Sequence, residues 1–175
     1  MERRFLVLVL CTSVLLCILS ACHELKFTEA QPSWKSDKKS FPKNIRGTYL
    51  NDGKQAIVIG KYQATLLNAD KDVFMGLDLK TDTVKFRKWK KQYFVNINLS
   101  IDDHWSVYVL ESSNDSLSLS YFDEGIEILE RITPVMKDYW KEGEFNYLVN
   151  PSRSEFEEMM DLMIFTRKKY PKFSD

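Results

Sequence analysis

Beyond residue 22 the sequence contains no cysteine, and His23 and His104 are its only histidines. Lack of a second thiol in that body excludes a disulfide framework and a cysteine nucleophile. Two histidines are too few for a His-rich metal site, and there is no His-Glu-x-x-His, Gly-x-Ser-x-Gly or glycine-rich phosphate loop. Net charge is lacking as well: 25 basic residues balance 25 acidic ones, which argues against a general nucleic-acid binder. Glycine (6) and proline (5) are scarce, while apolar residues make up 44% and aromatics 13% of the chain, so disorder is excluded and one core can be filled. The longest apolar run, Phe5 to Leu19, is about fifteen residues, short of the roughly 20 that span a bilayer as a helix.

That run follows Arg3-Arg4 and ends in Leu19-Ser20-Ala21-Cys22 before the polar His23-Glu24. A positive start, an apolar stretch and small residues before a cut site read as a signal peptide over residues 1–21. The last four residues resemble the lipobox of bacterial lipoproteins. The resemblance implies cleavage between Ala21 and Cys22, a lipid on Cys22 and attachment to the bacterial cell envelope at the outer membrane. Anchoring by two or three acyl chains is stable where one is reversible. Cys11 and Cys17 leave with the signal.

Residues 22–44 are polar, with Pro32, Pro42 and Ser-Asp-Lys-Lys-Ser at 36–40, and read as a tether, Trp34 and Phe41 being its apolar exceptions. From Ile45 a period of two prevails. Tyr93, Val95, Ile97 and Leu99 alternate with Phe94, Asn96, Asn98 and Ser100, and Leu117, Leu119 and Tyr121 alternate with serines. Trp105, Val107 and Val109, then Ile126, Ile128 and Ile132, read as further strands. Short turns such as Asn68-Ala69-Asp70 and Ser113-Asn114-Asp115 leave no room for parallel crossovers. The expectation is a mainly β, single domain over 45–175: eight or nine strands in an antiparallel meander forming a barrel or roll, closed by one C-terminal α-helix at about 151–169. Ser152 and Glu155 stand at capping-box spacing, and Phe156, Met159, Met160, Met163 and Ile164 share one face.

Gly47-Thr48-Tyr49 resembles the Gly-x-aromatic opening of lipocalin-like barrels. With Tyr93-Phe94-Val95-Asn96, Trp105-Ser106-Val107 and the stretch from Pro151 to Phe156, it is also similar to small, uncharacterised lipoproteins of Bacteroidota. The first likeness implies a barrel interior, for which Tyr49, Trp89, Tyr93 and Trp105 are the candidate ligand-facing aromatics. The second implies O-glycosylation at Asp-Ser/Thr followed by an aliphatic residue, which Asp82-Thr83-Val84 and Asp115-Ser116-Leu117 fit at Thr83 and Ser116.

For catalysis the inventory is thin. His104 follows Asp102-Asp103 and reads as a solvated turn residue. Asp70 and Asp72, or Asp102 and Asp103, lack the six to eight ligands Ca²⁺ needs. Along 85–91 five cations enclose Phe86 and Trp89; Val84 and Phe86 are expected inward, with Lys85, Arg87 and Lys91 solvating a hairpin or touching anionic headgroups. No cofactor, metal or nucleic acid is expected. The leading expectation is a non-enzymatic envelope lipoprotein binding a small apolar ligand or an envelope protein. A structural accessory of an outer-membrane assembly and an envelope hydrolase are the alternatives.

Overall fold

The computed structural model describes residues 24–51, 55–68, 70, 72–98, 103–122, 125–141, 144–162 and 166–173. Their elements, in chain order, are β1 (Leu25–Phe27), β2 (Gly47–Asn51), β3 (Gln55–Ile59), β4 (Gln63–Leu67), β5 (Val73–Asp78), β6 (Val84–Trp89), β7 (Gln92–Ile97), β8 (Ser106–Ser113), β9 (Ser116–Tyr121), α1 (Ile126–Ile132), β10 (Val135–Lys141), β11 (Glu144–Val149), α2 (Arg153–Asp161) and β12 (Thr166–Pro171). The protein is mainly β. Three sheets form, in the orders β2-β3-β4-β5, β12-β9-β8-β7-β6 and β1-β11-β10.

Both larger sheets are antiparallel, as their tight turns require. At Asn68 the turn chemistry is visible: its Oδ1 accepts from the backbone N–H of Asp70 (3.0 Å) and of Asp72 (2.9 Å). β2 and β12 meet only at the edge, through an isolated Tyr49–Lys172 bridge and a bond from Phe173 N–H to the Thr48 carbonyl (2.8 Å).

No sheet closes into a barrel. β6 does not pair with β5, and the N-terminal segment lies at its free edge. Lys38 N–H donates to the Phe86 carbonyl (2.6 Å), and Phe41 N–H to the Lys61 carbonyl at the β3–β4 turn (2.9 Å). The segment thus crosses from one sheet to the other where a closing ladder would have formed.

That segment is the stretch read from sequence as a tether, and from Glu24 onward it belongs to the fold. β1 runs parallel to β11, contrary to the expectation of antiparallel pairing alone. Sequence proximity had excluded parallel neighbours, but a partner more than a hundred residues away needs no short crossover. Phe27 also exchanges two backbone bonds with Trp105 (2.9 and 2.8 Å). Farther along, the Asn96 side chain pairs with the Gln31 backbone in both directions. Gln31 N–H donates to Oδ1 (2.5 Å), and Nδ2 donates to the Gln31 carbonyl (2.8 Å). Arg87, expected in solvent, is 9% exposed. It donates to the Ala30 and Pro32 carbonyls and to Asp37 Oδ1 (2.7 Å).

The five-stranded sheet is consequently buried on both faces. Tyr93, Val95 and Ile97 of β7 face the four-stranded sheet, while Phe94 faces a second core made by β1, α1, α2 and β11. Alternation along the strand is real, but its supposedly polar side is a second interior.

The helices depart from expectation too. α1 replaces an expected strand: Ile126, Leu129 and Ile132 recur every third residue, and Leu129 is fully buried. α2 begins with the expected capping box, Glu155 N–H donating to Ser152 Oγ (3.4 Å) and Ser152 N–H to Glu155 Oε2 (2.6 Å). Phe156, Met159 and Met160 are buried as expected; Met163 and Ile164 lie outside the described residues. The helix stops at Asp161 rather than near Lys169. Residues Thr166 to Pro171 form β12, whose pairing with β9 satisfies six residues of backbone that a longer helix would leave unmatched to the sheet edge.

Candidate functional site

The space between the two larger sheets is filled unevenly. Near the start of β7, Phe86 stacks on Tyr93 (ring centroids 5.5 Å apart) and Phe41 packs tilted against Phe86 (4.7 Å). Farther along β7 a cavity of about 290 Å³ remains. Ile57 of β3, Leu66 of β4 and Met75 of β5 form one wall, and Val95, Leu110 and Leu119 form the other. Each sits at an inward position of its strand, so the period of two makes both walls apolar.

At the margin the chemistry changes. The β4–β5 register shifts between Leu66, opposite Met75, and Leu67, opposite Val73. Phe74 is the extra residue of this bulge; it borders the cavity while remaining 70% exposed. Tyr108, Tyr121 and Lys168 also border it. Burial raises the Tyr108 pKa, the nearby charge of Glu24 and the Tyr121 phenol adding to the effect, so its hydroxyl stays a neutral donor. Among the described residues lining the cavity Lys168 is the sole charged one, and it is exposed at the mouth. It shares the inward side of β12 with Tyr170, lies opposite Leu119 in register, and holds its Nζ 5.7 Å from the Tyr121 ring centroid. Its neighbour Arg167 points the other way and pairs with Glu111.

The aromatics chosen from sequence do not line this cavity. Tyr49 and Tyr93 do lie in the core between the sheets. The Tyr49 hydroxyl, however, donates to the Ile45 carbonyl (3.1 Å), and Tyr93 is stacked on Phe86. Trp89 and Trp105 belong to the opposite face of the central sheet. Trp89 packs against Trp34 (5.9 Å) and Phe156 (6.3 Å), and Trp105 carries Lys85 Nζ over its ring (4.9 Å). Bulk and aromaticity singled out the four, whereas the cavity is walled by aliphatics and by other aromatics, Phe41, Tyr108, Tyr121 and Tyr170 among them, whose inward phase is legible only once the sheet pairing is known. The alternation of Leu119 and Tyr121 was the available signal; nothing marked Lys168.

The two glycosylation candidates differ. Thr83 is exposed, its Oγ1 3.0 Å from Thr81 Oγ1. Ser116 is 6% exposed and its hydroxyl lies 2.7 Å from Ser113 Oγ at the β8–β9 hairpin. Ala21 and Cys22 lie outside the described residues.

His104 is held rather than solvated. Its Nδ1 is 3.3 Å from Asp138 Oδ2 on β10, close enough for an ion pair yet off the angle of a hydrogen bond, so the nitrogen is buried without a partner of good geometry. Among the described residues no three His, Cys, Asp or Glu side chains gather as metal ligands. A second depression, about 570 Å³, lies beside Trp89 and α2; part of its charged lining is engaged, as in Lys90–Asp161 (3.8 Å) and Gln92 to Glu111 (2.6 Å). No helix among the described residues is long and apolar enough to cross a membrane. No family model, no curated protein and no solved structure matches the chain.

Proposed function

We propose that the protein is a lipid-anchored component of the bacterial cell envelope, attached at the outer membrane through Cys22, that binds a small apolar ligand without transforming it. The observation carrying this reading is the apolar cavity of about 290 Å³ between the two sheets, near the lower end of the usual range for small-molecule sites. We read the two sheets as an opened, lipocalin-like roll: from β5 to β2, across the Tyr49–Lys172 bridge, then from β12 to β6, the strands follow one continuous order. Ala64 lines the cavity, and Ala64→Leu fills part of it. In a ligand-binding protein this variant keeps its melting temperature within a few degrees and loses uptake of an apolar fluorophore; unchanged uptake overturns the reading. The anchor is tested separately. An alkyne fatty acid fed to cells tags the wild type, and Cys22→Ser loses both tag and membrane attachment.

A second reading, docking onto an envelope protein, is favoured by the edge strand β5, where Val73 is 67% exposed. Val73→Lys then releases a stoichiometric partner that co-purifies with the wild type from solubilised membranes.

A further inference from the structure

The cavity wall is mostly apolar, Gln55 and Thr65 being polar members of it, and among the described residues its only charge is the positive one of Lys168. Lys168 is itself exposed at the mouth, so its ammonium is hydrated there, and a carboxylate arriving at the mouth can pair with it while an attached chain enters the apolar interior. Among the described residues Lys168 has no carboxylate partner; its recorded neighbour is the Tyr121 ring. Arg167, one residue before it, shows the contrast, being paired with Glu111 on the other side of the strand.

We propose that the cavity takes a single-chain anionic amphiphile, with its acyl chain between the aliphatic walls and its carboxylate against Lys168. The inference deepens the ligand-binding reading and rests on it. Volume sets the chain number. About 290 Å³ holds about ten groups the size of a water, at roughly 30 Å³ each. One chain of about ten carbons fills that space. The tail runs from Tyr121 toward Val95, and the exposed Phe74 borders the same opening. That opening is at the end of the five-stranded sheet where the chain enters. Ser106 Oγ, two residues from Tyr108 on β8, donates to Glu24 Oε1 (3.1 Å). Glu24 is itself engaged by Lys26 (2.7 Å), and among the described residues Lys168 has no carboxylate partner at this margin. With Cys22 two residues upstream of Glu24, the mouth lies within reach of the anchor, so an amphiphile leaving the bilayer and the chain's own acyl group are the two sources of such a tail.

The full chain is held in phosphatidylcholine nanodiscs and irradiated with a diazirine analogue of decanoic acid or of decanol, and the labelled peptides are mapped. The acid labels peptides from β5, β9 and β12 roughly threefold to tenfold more than the alcohol. Lys168→Met brings the acid down to the level of the alcohol, whereas Lys168→Arg keeps the preference. Equal labelling by acid and alcohol in the wild type overturns the anionic ligand while leaving apolar binding in place. No labelling of these peptides by either probe, in the nanodisc-held wild type and in Cys22→Ser assayed free in solution alike, overturns the ligand-binding reading itself. Labelling that occurs only in Cys22→Ser shows that the chain's own acyl group fills the cavity, which also overturns the proposal.

Discussion

Arg87 and Asn96 do what an unstapled N-terminal segment requires. Without a disulfide, the residues from Glu24 to Ile45 are held by hydrophobic anchors such as Phe27 and Phe41 and by polar groups that replace their backbone's water. The Arg87 fork spans two carbonyls and Asp37. Truncating it leaves these acceptors desolvated and the carboxylate without its partner. Arg87→Ala is expected to lose about 2–4 kcal/mol in urea titration, mostly from the two desolvated carbonyls since Asp37 is half exposed, and Arg87→Lys is expected to recover little, because one ammonium cannot reproduce the planar fork. A change below about 1 kcal/mol would mean that the segment is not held by this contact. Gly47 has a different constraint. Its φ of +139° suits glycine, and an added Cβ would stand 3.3 Å from Lys172 Cε. Gly47→Ala is expected to cost about 1–3 kcal/mol, measurable by thermal melting. The glycine of the Gly-x-Tyr opening therefore has a local backbone reason.

At the scale of elements, α2 is a short helix whose stability comes from its cap and its buried face. Ser152→Ala removes one half of the capping box and should cost about 1 kcal/mol. Met160→Asp sets an unpaired charge against Trp89 and Phe156 and should cost several times that. Urea midpoints of the two variants order the contributions; a Met160→Asp midpoint equal to the wild type would place that face in solvent. β12 explains why the helix is brief. Lys168 and Tyr170 face inward while Arg167 and Lys169 face outward, an alternation that suits a sheet edge and leaves no continuous apolar stripe for a longer helix.

Over the whole molecule, one sheet serves two cores. The inter-sheet core contains the cavity and the Phe41–Phe86–Tyr93 cluster, and the other gathers Trp34, Trp89, Phe94 and Phe27 around the Phe156 ring, at centroid distances between 5.7 and 6.3 Å. Because residues 24–45 pack against both, their opening should be coupled to that of the central sheet. Native-state hydrogen exchange reads this directly: the Gln31 and Lys38 amides, bonded to Asn96 and Phe86, should exchange as slowly as amides of β7. Exchange at the rate of free peptide would restore the tether reading.

Sequence alone determined the class of structure and several local devices. Alternating Val, Ile, Tyr and Phe between polar turns specify antiparallel strands, because both signals depend on neighbours only a few residues away. The Ser152–Glu155 cap is local in the same sense. The two-sided burial of the central sheet, the docking of residues 24–45, the parallel β1–β11 pair and the inter-sheet cavity were decided by tertiary structure. Each depends on partners far apart in the chain: Gln31 with Asn96, Arg87 with Ala30, Leu25 with Tyr147. Phe94 and Asn96 look like a mixed, half-solvated face until α2 and the N-terminal segment cover it. Lys168 looks like one more basic residue near a helix end until β12 turns it toward the cavity. A side chain's type limits what it can bind, but its depth and its partner are set by the surfaces that fold against it.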